Sequence, residues 1–272
     1  GSYWPSTGGG FEYQWSPDGK WFALCFTGNK HDPYYDIGIV SVQGGEITNL
    51  TNSGYSSGSP TWAMDGNAIL FTSERYGMRN HASWGSMEDV FLCFVNQDAY
   101  DKYRLSKEDY ELLKEVEKEQ EKLKKGDKKE DAKKDDKKDE KSSKDIVVEL
   151  DGIQDRIVRL TPNSSSLGSA IIDKKGETLY YTASFEGGMD LWKLNLRKKD
   201  VKLANKGVGY ASFEMSKDGK TIFLLGGRMQ KMDAASGKLT PISYNGSLKM
   251  NLADEREAMF DHVYKQQQKR FY

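Results

Sequence analysis

FEYQWSPDGKWFALCFT, residues 11–27, decides the fold. Two short runs rich in aromatic residues flank the turn Ser16 to Lys20, where Asp18-Gly19 supplies the positive φ of a tight hairpin. DIGIVSV (36–42) and, past Gly44-Gly45, EITNLT (46–51) complete a unit of four β runs. The hairpin recurs as SPTWAMDGNAILFTS (59–73), SAIIDKKGETLYYTAS (169–184) and YASFEMSKDGKTIFLLG (210–226). The turn glycines Gly19, Gly66, Gly176 and Gly219 are 47, 110 and 43 residues apart. Two of these intervals match a one-blade period of roughly 40 to 50 residues, and the long one holds an insertion of about 60. Strands such as WFALCF and FLCFV are apolar on both faces, as in a sheet covered on both sides. Radial stacking of four-stranded blades meets that need, so the expected class is all-β, a partial β-propeller of about four blades. A sandwich or jelly roll explains the strands but not the regular return of one hairpin.

The expected blades span about 11–54, 59–164, 165–207 and 208–246, within a propeller region of 8–247; residues 248–272 form a helix outside it. The insertion, about 105–145, is a different material. Ser106 with Asp109 makes a capping-box-like start, and Leu112, Leu113, Val116 and Leu123 recur at helical spacing. A helix is predicted from Ser106 to about Lys125, supported by the pairs Glu111/Lys114, Glu115/Lys118 and Glu121/Lys125. Beyond Gly126, KKEDAKKDDKKDEKSSK reads as a solvated linker, or alternatively a charged partner-binding arm, leading to a strand at IVVEL (146–150). From Asn251, a candidate N-cap, Leu252, Met259, Phe260, Val263 and Tyr264 mark one face of a helix running on to Phe271 and Tyr272. An apolar stripe of this kind is expected to pack on a further domain.

Charge is uneven: of 81 charged residues, 24 lie in the 31 residues from Lys114 to Lys144, leaving 57 in the other 241, about 24%. That remainder has ordinary globular composition. A net charge of -1 gives no global basic field, so neither nucleic acid nor an anionic membrane is an expected partner. No uninterrupted apolar run exceeds six residues, as in Trp21 to Phe26, far short of the roughly 20 of a spanning helix. Cys25 and Cys93 sit in strand-like runs without a ligand-spaced neighbour and read as buried free thiols. No metal and no cofactor is expected.

Gly54-Tyr55-Ser56-Ser57-Gly58 matches the G-x-S-x-G pattern of a nucleophile elbow, but that device needs a strand leading into a helix. Here it joins one blade's outer strand to the next blade's inner strand and reads as a linker. His31, His81 and His262 lack a carboxylate or Cys at ligand spacing, and no catalytic residue is assigned. The stretch RYGMRNHASWGS (75–86) gathers Arg75, Tyr76, Arg79, His81 and Trp84, a combination suited to gripping a carboxylate or a peptide backbone. The alternative is a long loop whose arginines bond neighbouring turns.

WSPDGKW (15–21), its degenerate repeats, DLWKLNL (190–196) and the passage from the repeats into EREAMFDHVYKQQQKRFY (255–272) together resemble the tricorn-type serine peptidases. RYGMRNHASWGS followed by a charged helical insertion resembles the large Bacteroidetes-type members. The resemblance covers nearly the whole chain. It implies the last blades of a second propeller plus the first helix of a catalytic core, with the family's serine and histidine beyond Tyr272. It also implies peptide substrates, contact with the remaining domains of the same chain, homo-oligomers, and a cytoplasmic location, or the periplasm if a signal peptide lies upstream. A non-enzymatic TolB-like propeller used as a protein-binding platform is the competing reading.

Overall fold

Ser16 closes the first hairpin in the computed structural model, which describes residues 12–28, 34–79, 85–127, 145–185, 187–247 and 249–271. Its hydroxyl donates to Asp18 Oδ1 at 2.5 Å and accepts from the Trp21 backbone N–H at 2.9 Å, while Gly19 takes φ +70°. Ser216, Asp218, Thr221 and Gly219 repeat the arrangement, with Ser216 donating to Asp218 at 2.7 Å and accepting from the Thr221 N–H at 2.9 Å. Short side chains that bond their own backbone make this sequence a turn wherever it recurs.

Four antiparallel sheets of four strands each follow the chain in order. Blade 1 comprises β1 (Tyr13–Trp15), β2 (Trp21–Phe26), β3 (Asp36–Ser41) and β4 (Thr48–Asn49). Blade 2 comprises β5 (Ser57–Ala63), β6 (Ala68–Ser73), β7 (Asp89–Phe94) and β8 (Ile157–Arg159). Blade 3 holds β9 (Ser166–Ile172), β10 (Thr178–Ser184), β11 (Asp190–Asn195) and β12 (Asp200–Asn205), and blade 4 holds β13 (Ala211–Met215), β14 (Thr221–Gly226), β15 (Gln230–Asp233) and β16 (Leu239–Pro241). First strands adjoin between blades 1 and 2 (β1 with β5) and between blades 3 and 4 (β9 with β13), as the inner strands of a propeller do, and β9 meets β6 between blades 2 and 3.

Strand alternation sends one face of each inner sheet pair to each neighbour. On β6 and β7, Ile69, Phe71, Phe91 and Cys93 pack with Ala23, Ile37 and Ile39 of blade 1. Leu70, Val90, Leu92 and Phe94 pack with Leu179, Tyr181 and Leu194 of blade 3. A third core joins blades 3 and 4 around Tyr180, Leu191, Ile222 and Leu224. Among the described residues no such core joins blade 4 to blade 1, and the outward aromatic cluster of blade 1 stays open to solvent. Trp15, 57% exposed, packs on Phe22 at 4.1 Å.

Between β7 and β8 the chain forms α1 (Gln97–Arg104), which precedes the expected insertion, and then α2 (Lys107–Asp127) within it. Asn96 caps α1 by accepting from the Ala99 N–H at 2.9 Å, and Ser106 caps α2 by accepting from the Asp109 N–H at 3.1 Å. Of the expected pair Glu111/Lys114, Lys114 turns instead to Glu177 of blade 3; outside the expected pairs, Glu117 bonds Lys102 of α1 at 2.7 Å. The helix is thus docked by bonds to its surroundings, and it also carries a pair along its own surface, Lys107 with Glu111 at 3.9 Å. The side chains of Glu121 and Lys125, and residues 128–144, lie outside the described residues.

Residues 146–150 are not the strand their composition suggests. The segment crosses toward blade 1: the Ile146 N–H donates to Asp18 Oδ2 at 2.9 Å, and the Glu149 N–H to the Val95 carbonyl at 2.8 Å. Arg156, 5% exposed, fixes its far end by donating to the carbonyls of Glu149, Asp151 and Phe94. A side chain at Gly66 would strike Ile146, with a Cβ only 2.2 Å from Cδ1. Side-chain and backbone bonds to single residues thus replace a ladder, and β8 follows as the outer strand.

The chain divides into two units, Gly1–Pro241 and Ile242–Tyr272. The second contains α3 (Leu252–Arg270), capped by Asn251, whose side chain accepts from the Ala253 N–H at 3.2 Å. It ends at Arg270, with Phe271 as C-cap, and Tyr272 lies outside the described residues. Met259, Phe260, Val263 and Tyr264 are exposed.

Candidate functional site

The antiparallel order puts the second-to-third-strand loops and the inter-blade linkers at one end of each blade, here the loop end, and the hairpin turns at the other, the turn end. At the loop end, blades 1 and 2 share a latch. Thr51 Oγ1 donates to Asp36 Oδ1 at 2.6 Å and accepts from the Ile37 N–H at 3.1 Å. Thr161 Oγ1 repeats both bonds with Asp89 Oδ1, at 2.8 Å, and the Val90 N–H, at 3.1 Å. The first residue of the third strand is thereby tied to the linker that leaves the same blade. In blade 3, Asp190 accepts from the Gly207 N–H at 2.7 Å instead.

Asp89 is fully buried and takes two further bonds, from Arg159 Nη2 at 2.8 Å and Ser164 Oγ at 2.7 Å. Arg159 in turn lies over the Tyr76 ring at 5.1 Å. Tyr76 caps a stack formed with Phe91, 6.0 Å between centroids, and Phe71, 5.4 Å further on. The blade's apolar core therefore continues into the exposed loop as an aromatic column. The loop itself is held closed by Met87 N–H donating to Met78 O at 2.8 Å. Gly77 permits that closure, because a Cβ there would lie 1.8 Å from the Met87 carbonyl oxygen.

Arg75 and Arg79, both exposed, project from this closed loop. The Arg75 guanidinium lies 5.6 Å from the Tyr76 ring and that of Arg79 lies 4.6 Å from the ring of Tyr55, in the linker from blade 1. Neither has a carboxylate partner among the described residues. A guanidinium resting on a tyrosine face keeps its donor edge free for a carboxylate or a carbonyl. Of the residues expected here, Arg75, Tyr76 and Arg79 share the loop end, while His81 and Trp84 lie outside the described residues. Tyr55 and Arg159 join them; Tyr55 lay inside the serine pattern and Arg159 in an outer strand, so no local motif pointed to either.

Carboxylates lie deeper at the same end. Glu88 has its carboxyl pushed up by burial, and the charges of Glu74, Asp89 and Glu12 act the same way against a hydrogen bond from Thr72. No group of three or more His, Cys, Asp or Glu among the described residues could hold a metal ion.

Ser56 begins no elbow. Its N–H donates to Glu74 Oε1 at 3.1 Å and its carbonyl accepts from the Glu74 N–H at 3.1 Å, with β5 starting at the next residue. His262 lies in α3, and His31 is outside the described residues. Both thiols are free; burial, foremost, pushes each up to about 12. At the turn end, α1, α2 and the hairpin turns of blades 2 and 3 bound a cleft of about 1150 Å³ lined by Tyr103, Tyr110, Asp98, Lys175 and Arg197.

No family model matches the chain. It is 37% identical over 59 residues to the uncharacterized peptidase YuxL of Bacillus subtilis, an alignment covering 22% of this chain and 9% of that protein. It is 34% identical over 83 residues to the uncharacterized protein Atu1656 of Agrobacterium fabrum, covering 27% of each. The crystal structure of the tricorn protease superposes with a TM-score of 0.61 at 11% identity, over 93% of this chain and 24% of that one. The chain thus spans well under a third of the length of each, and at that identity the structural likeness concerns the fold.

Proposed function

We propose that the chain is a propeller segment of a tricorn-type serine peptidase that receives peptides at its loop end, the serine nucleophile being supplied outside residues 1–272. The observation that carries this reading is the pair Arg75 and Arg79, exposed, seated on Tyr76 and Tyr55 and without a carboxylate partner among the described residues. An exposed guanidinium with its face occupied and its edge open is suited to a peptide carboxylate or carbonyl. The motif resemblance and the alignment with a peptidase point to the same substrate class.

Binding of a fluorescein-labelled acidic peptide, followed by anisotropy, tests it. Arg75→Ala and Arg79→Ala should each weaken binding by about tenfold, the weight of one charge-assisted hydrogen bond. Unchanged affinity in both variants, or no binding to the unaltered chain, would refute the reading.

A further inference from the structure

The turns that close the first hairpin of each blade interlock at the turn end. Met64 of blade 2 covers the turn glycine of blade 3, where a Cβ added to Gly176 would lie 2.6 Å from its Cε. Lys174 of blade 3 covers Gly219 of blade 4, where a Cβ would lie 2.6 Å from its Cδ, and its ammonium donates to the Lys217 carbonyl. Pro17 of blade 1 approaches Gly66 of blade 2 in the same sense, its Cδ 3.5 Å from the corresponding position, which Ile146 also fills. Pro17, Met64 and Lys174 each stand two residues before the turn glycine of their own blade. One blade's turn thus fills the hollow that glycine leaves in the next.

The series is open at both ends. Among the described residues, nothing lies within 4 Å of where a Gly19 Cβ would stand. Lys217 holds the covering position of blade 4, two residues before Gly219, and is exposed. The sheet faces beside these two turns agree. On blade 1, Ala23, Ile37 and Ile39 face blade 2, so strand alternation turns Phe22, Val40 and Trp15, which is paired with Phe22, the other way. Trp15 is exposed there. On blade 4, Ile222, Leu224 and Met232 face blade 3, so Phe223 and Leu225 face away from it. Ser212 and Glu214 of β13 and Lys231 of β15 flank them on that face, and Leu225 is 37% exposed. An apolar centre with a charged rim is the composition of a contact between separate chains rather than of a permanent core.

We infer that copies of this chain associate head to tail, the outward face of blade 4 in one copy seating on the outward face of blade 1 in the next, with Lys217 laid over Gly19. The contact continues an interface the chain already builds from blade to blade, and a second copy carries the counterpart of each open feature. Lys217 fits the uncovered glycine, Phe223 and Leu225 meet Trp15 and Phe22, and an ammonium comes to the turn that holds Asp18. The step from Lys174 to Lys217 also sets the bond. Just as Lys174 donates to the Lys217 carbonyl, Lys217 donates to the Pro17 carbonyl of the second copy. Two different patches meet, so the contact is heterologous, and copies add until a ring closes or a filament grows.

Sedimentation velocity of the 272-residue chain tests this, and association should grow with concentration from about 1 to 100 μM. Trp15→Glu blocks one face and Leu225→Glu the other, so each variant alone should stay monomeric. Their equimolar mixture keeps one good face from each and should stop at a dimer of one copy of each variant. Lys217→Ala, which removes only the covering side chain, should weaken association by about tenfold. Carbodiimide crosslinking of a mixture of light and heavy isotope-labelled copies of the unaltered chain decides even if a variant fails to fold. It should join Lys217 of one copy to Asp18 of another. A chain that stays monomeric, or a blocked variant that still associates, overturns the inference. So do links joining blade 1 to blade 1 or blade 4 to blade 4, and Lys217 to Asp18 links confined to single copies, which would mean that the four blades close on themselves.

Discussion

Arg197 joins blade 3 to the inserted helices through three hydrogen bonds and a ring contact, and replacing it isolates what docks the insertion. Its Nη1 donates to the carbonyls of Tyr103, at 2.5 Å, and Leu105, at 3.1 Å, and its Nη2 to that of Lys102 at 2.8 Å. These are carbonyls at the C-terminal end of α1, which have no partner within the helix. The guanidinium also lies 3.9 Å from the centre of the Tyr110 ring on α2. A hydrogen bond from a charged donor is worth about 1.5 to 3 kcal/mol, but these share one half-buried group with solvent nearby and do not add in full. Arg197→Ala should therefore cost about 3 kcal/mol, felt where the helices meet blade 3. Arg197→Lys, a point donor without the planar fork, should retain about half. Hydrogen exchange reads this directly: at about 1.4 kcal/mol per tenfold, amide protection in α1 and the first turns of α2 should fall roughly 100-fold in the alanine variant. Strands β5 to β7 should keep theirs. Unchanged protection of the helices, or an equal loss in helices and strands, would refute the view that Arg197 docks a locally opening unit.

Asp89→Ala should destabilise blade 2 by about 3 to 5 kcal/mol, because it leaves Arg159, Thr161 and Ser164 without their buried acceptor; Asp36→Ala, which strands no cation, should cost less, and urea titration of both variants checks the order. Gly77→Ala cannot keep the Met78–Met87 closure, so quenching of Tyr76 by acrylamide should rise while the global melting point moves by only a few degrees. Cys25 and Cys93, pushed up to about 12 from the ordinary 9.0, should not react with a disulfide reagent at pH 8 in the native chain. Raised thiol values contribute stability that is fully present below about pH 9 and is lost as pH rises toward 12, so denaturation midpoints should decline across that range; rapid native labelling or a flat profile would contradict the burial account.

The propeller was legible because its turns are written in short-range chemistry. Ser16, Asp18 and Gly19 close a hairpin with bonds spanning five residues or fewer, so their recurrence at Ser216, Asp218 and Gly219 counts blades without knowledge of the packing. The Asp36–Thr51 latch is legible in retrospect as an aspartate at the start of one strand and a Leu-Thr at the end of the next. The insertion hides its second instance by separating Asp89 from Thr161 by 72 residues. Residues 146–150 misled because apolar β-branched composition states a demand for burial, not the means of meeting it. Asp18, Val95 and Arg156 meet it here with isolated bonds, and nothing near the segment in sequence reveals them. The candidate site was half legible: Arg75, Tyr76 and Arg79 cluster in sequence, whereas Tyr55 and Arg159 arrive from a linker and an outer strand through the strand register.

Photo-crosslinking tests most directly whether the loop end receives peptides. An acidic peptide carrying a benzophenone group would be irradiated with the 272-residue chain and the adducts located by mass spectrometry. The account predicts adducts concentrated at Tyr55 and in the segment from Arg75 to Met87, diminished when Arg75 and Arg79 are both replaced by alanine. Adducts confined to the turn-end cleft around Tyr103 and Tyr110, or a pattern indifferent to the double replacement, would contradict it.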